Sequence, residues 1–396
     1  MNKKISYSIW LLPVVAVSSL GLDVFIPALP AIKNAFNASQ QSTQLLISVY
    51  VFALSIGQLI SGPFIDRYGC QNAFKIGIVL CFITSANIVF SESIELLVFL
   101  RFLQGLGAGT VTVAVFSSVP KIFKKELNGK VFSIFSGVLS VVPVLAPVLG
   151  SVLTSMYNWE TCFLFLSVYM VFCMLVNWLK PFPRKLDNSQ GDSDTGFTLY
   201  KKLLSTRSFI IGCVACSLGF STQLAFFSTS PLVIIEQFST RIENFGFFFG
   251  INALSITVGS LLALNLIGRL NEEVIIKAAS AITLMSGISF NLHYFSDDIN
   301  IWHFLLPSCF GSFGFALLMS AGTALCLNDF SCQSGRASSL NGALQLIIAS
   351  VLSWLVMNFW DSEWLTIKIL YVFCGLIIFG TTLLPKSTQK LATTHI

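Results

Sequence analysis

Long apolar segments alternate with short polar segments along the whole chain. Twelve apolar runs, each of about 18–25 residues, are long enough to cross the ~30 Å hydrocarbon core of a bilayer as helices. Backbone groups in lipid have to be paired within their own segment, so the pattern predicts helices rather than open strands. Numbered as spans 1 to 12, they cover residues 8–30, 44–65, 73–91, 95–118, 131–154, 161–180, 208–235, 245–267, 275–295, 300–327, 337–358 and 364–385.

The longest polar stretch divides these spans into two sets of six. It covers residues 181–207 and contains the segment PFPRKLDNSQGDSDTG, whose composition is typical of a flexible linker. The sequence therefore predicts an N-terminal six-helix unit at 1–180, a linker at 181–207 and a C-terminal six-helix unit at 208–396. A weak internal repeat agrees with this division. Span 1 ends in FIPALP and span 7 ends in STSPLVIIE, so both place a proline near the end of the first span of a half.

Composition supports an all-α integral membrane protein. Of the 396 residues, 55% are hydrophobic and only 10% are charged, whereas soluble domains carry about 25% charged residues. The sequence contains no GxxxxGK[ST] phosphate-binding loop, no Ser-His-Asp set and no Cys/His ligand cluster. We therefore expect a protein that is not an enzyme and that binds neither a metal nor a cofactor.

The basic residues predict which loops face the cytoplasm, because cytoplasmic loops carry the excess of lysine and arginine. With the N-terminus inside, only four of the 23 basic residues fall outside the cytoplasmic loops and ends. These four are Lys33, Arg101, Arg241 and Lys368. The pattern predicts a multi-pass protein with both termini in the cytoplasm.

Span 1 contains one ionisable side chain in an otherwise apolar segment. Asp23 lies in the stretch LGLDVFIPALP, at Leu20–Pro30. A charged group inside a span costs ~2.5–3.5 kcal/mol on insertion scales, and such groups are normally functional. We interpret Asp23 as the proton-carrying residue of a transporter.

Arg101 lies in the interior of span 4 at a depth that matches Asp23. Asp23 lies seven residues before Pro30, at the end of span 1. Arg101 lies seven residues after Ile94, at the start of span 4, and both span ends are on the same side of the membrane. At ~1.5 Å per residue, both lie about 10 Å below the surface. This predicts a contact, either direct or through water or a polar side chain, that adjusts the proton affinity of Asp23. The alternative is a static ion pair that holds two helices together.

The loop between spans 2 and 3 reads GPFIDRYG, from Gly62 to Gly69. We expect Gly62 to allow close approach of helices and Gly69 to allow a tight turn. Asp66 and Arg67 would then lock and release the hairpin through a charge contact, as a conformational gate. The alternative is an ordinary charged turn.

Span 5 carries two prolines four residues apart, Pro143 and Pro147, followed by Gly150. Each proline lacks a backbone N–H and clashes with the preceding turn, which kinks a helix. We interpret this stretch as a hinge. The alternative is a kink that serves packing without motion.

Several uncharged side chains within the spans are candidates for lining a substrate cavity. Tyr50 and Gln58 lie eight residues apart and therefore share a helical face. Phe226 and Phe227 are candidates for an aromatic wall against a lipophilic ligand, although a single phenylalanine is more typical of packing. The full set is Tyr50, Gln58, Gln104, Gln223, Phe226, Phe227, Asn252 and Gln345.

Together these motifs resemble the major facilitator superfamily. The Gly62–Gly69 loop is similar to its signature loop between helices two and three, and Leu97–Gly109 is similar to its arginine motif in helix four. Pro143–Gly150 resembles the helix-five motif of its drug–proton antiporters, and Leu20–Pro30 resembles their helix-one motif. The resemblance covers nearly the whole chain and is denser in the first half.

Within those antiporters, the closest similarity is to the bicyclomycin-resistance (Bcr/CflA) branch. An acidic residue precedes the first proline of the helix-one motif by four positions in that branch, as Asp23 precedes Pro27 here. One departure is that Cys70 and Gln71 stand where the signature loop usually ends in basic residues. The departure concerns the strength of the predicted gate rather than the fold.

The resemblance implies two six-helix bundles around a central cavity, with one bundle rocking against the other. It implies a monomeric, proton-coupled antiporter of the bacterial inner membrane that exports small lipophilic, cationic or zwitterionic molecules. The proton gradient would be the driving force, and no nucleic acid is expected as a partner. Alternatives are a dedicated exporter of an endogenous metabolite, such as a siderophore or an amino acid, a proton-linked importer, and a membrane receptor.

Overall fold

A computed structural model describes residues 3–123, 125–182, 201, 203–295, 298–330, 334–359 and 362–383. Within these ranges the chain is almost entirely helical, and twelve long helical segments follow the predicted order, so the all-α class is confirmed. Eleven of them are long and apolar enough to cross a membrane. The remaining helix, Cys70–Ile88, carries Gln71, Asn72 and Lys75 in its first turns, and these polar residues lower its mean hydropathy.

The helices begin and end close to the predicted boundaries. Span 1 consists of Lys3–Val15, Val17–Asp23, a 3₁₀ turn at Ile26–Ala28 and Leu29–Ala35. Spans 2 to 6 are Gln40–Tyr68, Cys70–Ile88, Ile94–Ile122, Lys125–Met156 and Glu160–Leu179. Spans 7 to 12 are Arg207–Pro231, extended by a π-helical turn at Leu232–Gln237, Ile242–Leu266, Glu272–Ser289, extended by a 3₁₀ turn at Phe290–Phe295, Trp302–Asn328, Ser334–Phe359 and Glu363–Thr382. Most of the predicted linker, at 183–200 and 202, lies outside the described residues.

Serine side chains cap the N-terminal ends of spans 2 and 4. The hydroxyl of Ser39 accepts a hydrogen bond from the backbone N–H of Ser42 at 3.1 Å, at the start of span 2. The hydroxyl of Ser93 accepts one from the N–H of Leu96 at 3.2 Å, at the start of span 4. Each cap satisfies a backbone donor that the first helical turn leaves unpaired.

Glycines bring spans 2 and 4 into backbone contact. A Cβ atom added to Gly57 would overlap the carbonyl oxygen of Leu106, and one added to Gly109 would overlap that of Leu54. Small residues at such contacts let membrane helices approach closely, which is a main source of their association. These glycines therefore hold the core of the N-terminal half together.

No described helix packs against Gly62 in this conformation, so the close approach expected there stays a prediction. A Cβ atom at Gly62 would meet no other atom within 4 Å, because the chain there is partly exposed and lies beyond the tight contact of Gly57. Gly69 has a φ of 83°, which is the left-handed conformation that favours glycine. It ends span 2 with the backbone geometry that the predicted tight turn requires.

The two halves repeat a backbone pattern. Span 1 changes from an α-helix to a 3₁₀ turn at Pro27, and span 7 changes to a π-helical turn after Pro231. The second and third spans of each half are joined at a glycine with positive φ, at Gly69 with 83° and at Gly268 with 86°. These shared features support the internal repeat that the proline positions predicted.

The halves contact each other mainly through span 2 with span 11 and span 5 with span 8. Span 5 also packs on span 1, where a Cβ atom at Gly150 would overlap the carbonyl oxygen of Val24. Pro143 and Pro147 lie inside one continuous helix, Lys125–Met156. Motion about these prolines stays a prediction.

Replacing Gly57 by alanine should lower the melting temperature of the detergent-solubilised protein. The added methyl group would overlap the backbone of Leu106, and overpacking of this kind costs about 1–3 kcal/mol. Gly62→Ala is the matched control in the same helix, and its melting temperature should be unchanged or slightly raised, since alanine is the better helix former. Equal losses of stability in both variants would contradict the contact between spans 2 and 4.

Candidate functional site

Arg101 is fully buried between spans 1, 2 and 4. Its Nη1 atom donates hydrogen bonds to the carbonyl oxygen of Gly21 at 2.9 Å and to Oε1 of Gln104 at 2.5 Å. Its Nε atom donates to the carbonyl oxygen of Leu46 at 3.3 Å. A buried charge is costly unless it is hydrogen-bonded, so these three acceptors make the buried position of the guanidinium possible.

Aromatic rings from spans 1, 2 and 6 surround the same guanidinium. Its central carbon lies 4.0 Å from the ring centre of Phe25, 4.2 Å from that of Tyr50 and 5.9 Å from that of Phe163. A cation–π contact contributes about 2 kcal/mol or more when it is desolvated. Phe25 and Phe163 were not among the predicted site residues, because a phenylalanine in an apolar span carries no sequence signal that separates it from the other 36 in this chain.

Tyr50 is held over Arg101 by its contact with span 1. Its hydroxyl donates a hydrogen bond to the carbonyl oxygen of Ser18 at 2.9 Å. A side chain at Gly21 would collide with that hydroxyl, so the glycine of the helix-one motif leaves the space that Tyr50 occupies. Tyr50 is fully buried in this conformation, and its contact with a substrate stays a prediction.

Gln104 extends the network of Arg101 to span 3. Its Nε2 atom donates to the hydroxyl of Ser85 at 2.6 Å, and that hydroxyl donates to the carbonyl oxygen of Cys81 at 2.7 Å. The amide of Gln104 is therefore fixed on both sides, by a cation at its oxygen and by a hydroxyl at its nitrogen. Ser85 belongs to this network although the sequence did not single it out.

Asp23 ends the helix Val17–Asp23 and is 1% exposed. Within the described residues, no lysine or arginine lies within 4.0 Å of its carboxyl group. The direct ion pair between Asp23 and Arg101 is therefore absent, because the guanidinium instead contacts Gly21 and Phe25, which stand two residues to either side of Asp23. A contact through water or a polar side chain stays a prediction.

Oδ1 of Asp23 and Nη2 of Arg101 are buried and have no hydrogen-bond partner among the described residues. A buried polar atom left unpaired costs about 1–3 kcal/mol. Unpaired buried groups are uncommon in folded proteins and require an explanation such as a functional role. Asp23 and Arg101 are therefore neighbours in the N-terminal half, but they do not form an ion pair with each other.

A second polar cluster lies inside the C-terminal half, where spans 7, 8 and 10 meet. Gln223, Asn252 and Ser312 are each at most 1% exposed. The hydroxyl of Ser312 lies 2.8 Å from Oε1 of Gln223 and 3.0 Å from Oδ1 of Asn252, and donates to one of them at a time. No described residue forms a hydrogen bond with the Nδ2 atom of Asn252. The sequence predicted Gln223 and Asn252 separately, and it did not single out Ser312, which joins them.

Phe226 and Phe227 lie inside an aromatic cluster of the C-terminal half. The ring centre of Phe226 is 5.6 Å from that of Phe249 and 6.2 Å from that of Phe304, and Phe227 lies 5.5 Å from Phe249. Both side chains are buried. The predicted aromatic wall is therefore packed against other rings in this conformation, and a role in substrate binding stays a prediction.

The remaining predicted residues are more accessible. Gln58 and Gln345 are partly exposed, and Asp66 and Arg67 are exposed at the end of span 2. Neither Asp66 nor Arg67 forms an ion pair with a described residue, and Arg67 lies 5.3 Å over the ring of Tyr68. The charge contact predicted for the gate is therefore not formed here. Across the described ranges, no three His, Cys, Asp or Glu side chains are grouped so that they could hold a metal ion.

Two substitutions at Tyr50 should separate its ring from its hydroxyl. Tyr50→Phe keeps the ring over Arg101 and loses only the hydrogen bond to Ser18, which should cost about 0.5–1.5 kcal/mol. Tyr50→Leu also loses the cation–π contact and should be destabilised by about 0.5–2 kcal/mol more. Melting temperatures of the purified variants check the order, and a Leu variant as stable as the Phe variant would show that the ring does not support Arg101.

Comparison with known proteins places the chain in a family. Residues 11–353 match the family described as the Major Facilitator Superfamily. The multidrug resistance protein MdtL of Escherichia coli O157:H7 (strain EC4115 / EHEC) is 27% identical over 364 residues, which are 90% of each chain. MdtL of Shewanella oneidensis is 24% identical over 383 residues, 95% of each chain. A bicyclomycin resistance protein homolog of Haemophilus influenzae is 24% identical over 363 residues, 90% of this chain and 91% of its own.

Solved structures share the fold at low sequence identity. A crystal structure of the D-xylose-proton symporter has a TM-score of 0.71 at 14% identity and covers 94% of this chain and 97% of its own. The inward-open xylose transporter XylE from E. coli has a TM-score of 0.70 at 16% identity and covers 97% of both chains. The chain is thus a multi-pass membrane protein that belongs to the major facilitator superfamily, in which it resembles the drug–proton antiporters of the bicyclomycin-resistance type.

Proposed function

We propose that this protein is a proton-coupled antiporter that exports small lipophilic, cationic or zwitterionic molecules and that Asp23 carries the proton. The observation that carries the proposal is the carboxyl group of Asp23, which is buried, has an unpaired Oδ1 and has no cation at ion-pair distance among the described residues. The names of the relatives, multidrug resistance protein and bicyclomycin resistance protein homolog, support export as the direction of transport.

In the conformation described here, the surroundings of Asp23 favour the neutral acid. An ionised carboxylate would be buried without a cation at ion-pair distance, which costs several kcal/mol. The unpaired Nη2 of Arg101 is a donor that could stabilise the ionised form after a small rearrangement. Asp23 would then lose its proton when the rearranged site becomes accessible to water.

Proton and substrate are coupled in this proposal through the charge of Asp23. A cationic group bound in the central cavity stabilises the carboxylate and so favours release of the proton. By linkage, protonation from the other side weakens substrate binding by the same factor. Rocking of one half against the other, as in transporters built from repeats, would expose the site to each side in turn.

The orientation in the membrane is part of the proposal. The bias of lysine and arginine supports both termini in the cytoplasm of a bacterial inner membrane. Asp66 and Arg67 would then lie on the cytoplasmic side, and their exposure without an ion pair supports an inward-facing conformation with this gate released. We infer a monomer that works without a cofactor, driven by the proton gradient.

Asp23→Asn should abolish proton release on substrate addition, because asparagine keeps the shape of the side chain but cannot carry the proton. The measurement uses the purified protein in detergent with a pH-sensitive dye, titrated with lipophilic cations such as ethidium and tetraphenylphosphonium. Glu243→Gln is the matched control, since it neutralises an exposed carboxylate and should release protons like the wild type. Normal proton release from the Asp23→Asn variant would show that Asp23 does not carry the proton.

Transport assays separate export from the alternatives. Everted membrane vesicles should accumulate the cation when energised, and vesicles with Asp23→Asn should not. Substrate uptake by proteoliposomes under an inward proton gradient would instead indicate a proton-linked importer. Intracellular build-up of a single compound in a deletion strain, without broad drug sensitivity, would indicate a dedicated metabolite exporter.

A further inference from the structure

Lys33 and Glu236 form an ion pair between the two halves. The Nζ atom of Lys33 lies 2.7 Å from Oε2 of Glu236. Lys33 stands in the last turn of span 1, and Glu236 stands in the π-helical turn that extends span 7. The other ion pair in the described part of the chain, Arg207–Glu273, lies within the C-terminal half. Among the described residues, Lys33–Glu236 is therefore the ion pair that joins the halves.

Because it is partly buried, this ion pair contributes more to stability than a fully exposed pair does. The side chains of Lys33 and Glu236 are 27% and 28% exposed. Water and salt screen such a pair less than a pair on the open surface, where ion pairs contribute little. No local sequence pattern predicts this pair, because 203 positions separate Lys33 from Glu236 in the chain.

Two hydrogen bonds attach the turn that carries Glu236 to span 12. Gln237, the residue after Glu236, donates through Nε2 to Oε2 of Glu363 at 2.7 Å and accepts at Oε1 from Nε1 of Trp364 at 2.8 Å. Glu363 is buried at the start of span 12. The turn that carries Glu236 is thereby fixed to span 12 by two hydrogen bonds.

The prolines of spans 1 and 7 help to place the two partners. Pro30 lies in the first turn of the helix that carries Lys33, and Pro231 immediately precedes the π-helical turn. Proline removes a backbone donor, and a π-helical turn changes the direction in which side chains point. The end of span 1 packs against this turn of span 7. The packing of these two turns therefore brings a lysine of one half against a carboxylate of the other.

We propose that the Lys33–Glu236 pair is a latch that holds this end of the molecule closed and has to break each time the end opens. Opening separates spans 1 and 7, and an ion pair across that boundary cannot persist. The proposal rests on the alternating-access part of the proposed function. It does not depend on Asp23 as the proton carrier, so either proposal can fail without the other.

Hydrogen–deuterium exchange of the full chain in detergent, read by mass spectrometry, tests the latch. Glu236→Gln and Lys33→Gln should each raise exchange about fivefold in peptides from residues 29–36 and 232–240, since the closed form loses its ion pair. Exchange in peptides from residues 62–75, at the opposite end, should fall, because opening of one end closes the other. A purely structural loss of stability would raise exchange at both ends.

Restoring the pair with reversed charges provides the decisive control. The double variant Lys33→Glu with Glu236→Lys should return exchange at both ends toward the wild type, and Lys33→Arg should match the wild type. Glu243→Gln, an exposed carboxylate in span 8 close after Glu236 in the chain, should have no effect. Wild-type exchange in both single variants would overturn the latch, and so would a parallel rise at both ends or a charge-reversed double variant no better than the singles.

Discussion

The buried guanidinium of Arg101 is the interaction on which the N-terminal half depends. It binds span 1 through Gly21 and span 2 through Leu46, and Gln104 connects it to span 3. The ring of Phe163 adds span 6. A buried cation that loses its acceptors is strongly destabilising, so every one of these neighbours has to be in place. Five of the six spans of this half thus meet around a single charge.

This arrangement leaves Asp23 without the partner that its depth suggested. Nη1 of Arg101 donates to the carbonyl oxygen of Gly21 and the guanidinium lies over the ring of Phe25, while Nη2 has no hydrogen-bond partner among the described residues. Arg101 therefore contacts span 1 on both sides of Asp23, at the backbone of Gly21 and at the ring of Phe25, without forming an ion pair with the carboxyl group of Asp23. A carboxyl group that is positioned but not neutralised suits a proton carrier better than a static ion pair does.

Hydropathy predicted the helices well, because apolar segments of sufficient length have few other structures open to them in a membrane. It also put Asp23 and Arg101 in the same layer, since depth follows from the rise per residue. Depth does not tell which way a side chain points or which acceptors compete for it, so it could not decide between a direct contact of Asp23 with Arg101 and a contact through water or a polar side chain. For a related reason the sequence could not show that the tight contact of spans 2 and 4 lies at Gly57 and not at Gly62, because only the neighbouring helix decides where a glycine makes contact. The pairing of Lys33 with Glu236 depends on how two distant halves meet, which no local pattern contains.

Proton coupling through Asp23 requires that its carboxyl group be protonated in this conformation. Infrared difference spectroscopy of the purified protein, with the spectrum of Asp23→Asn subtracted, isolates the signal of this one carboxyl group. We expect the band of a neutral carboxylic acid at neutral pH, which a bound cationic substrate converts to the band of a carboxylate. A carboxylate signal of Asp23 that is present without substrate and does not change when substrate is added would contradict the assignment of Asp23 as the proton carrier.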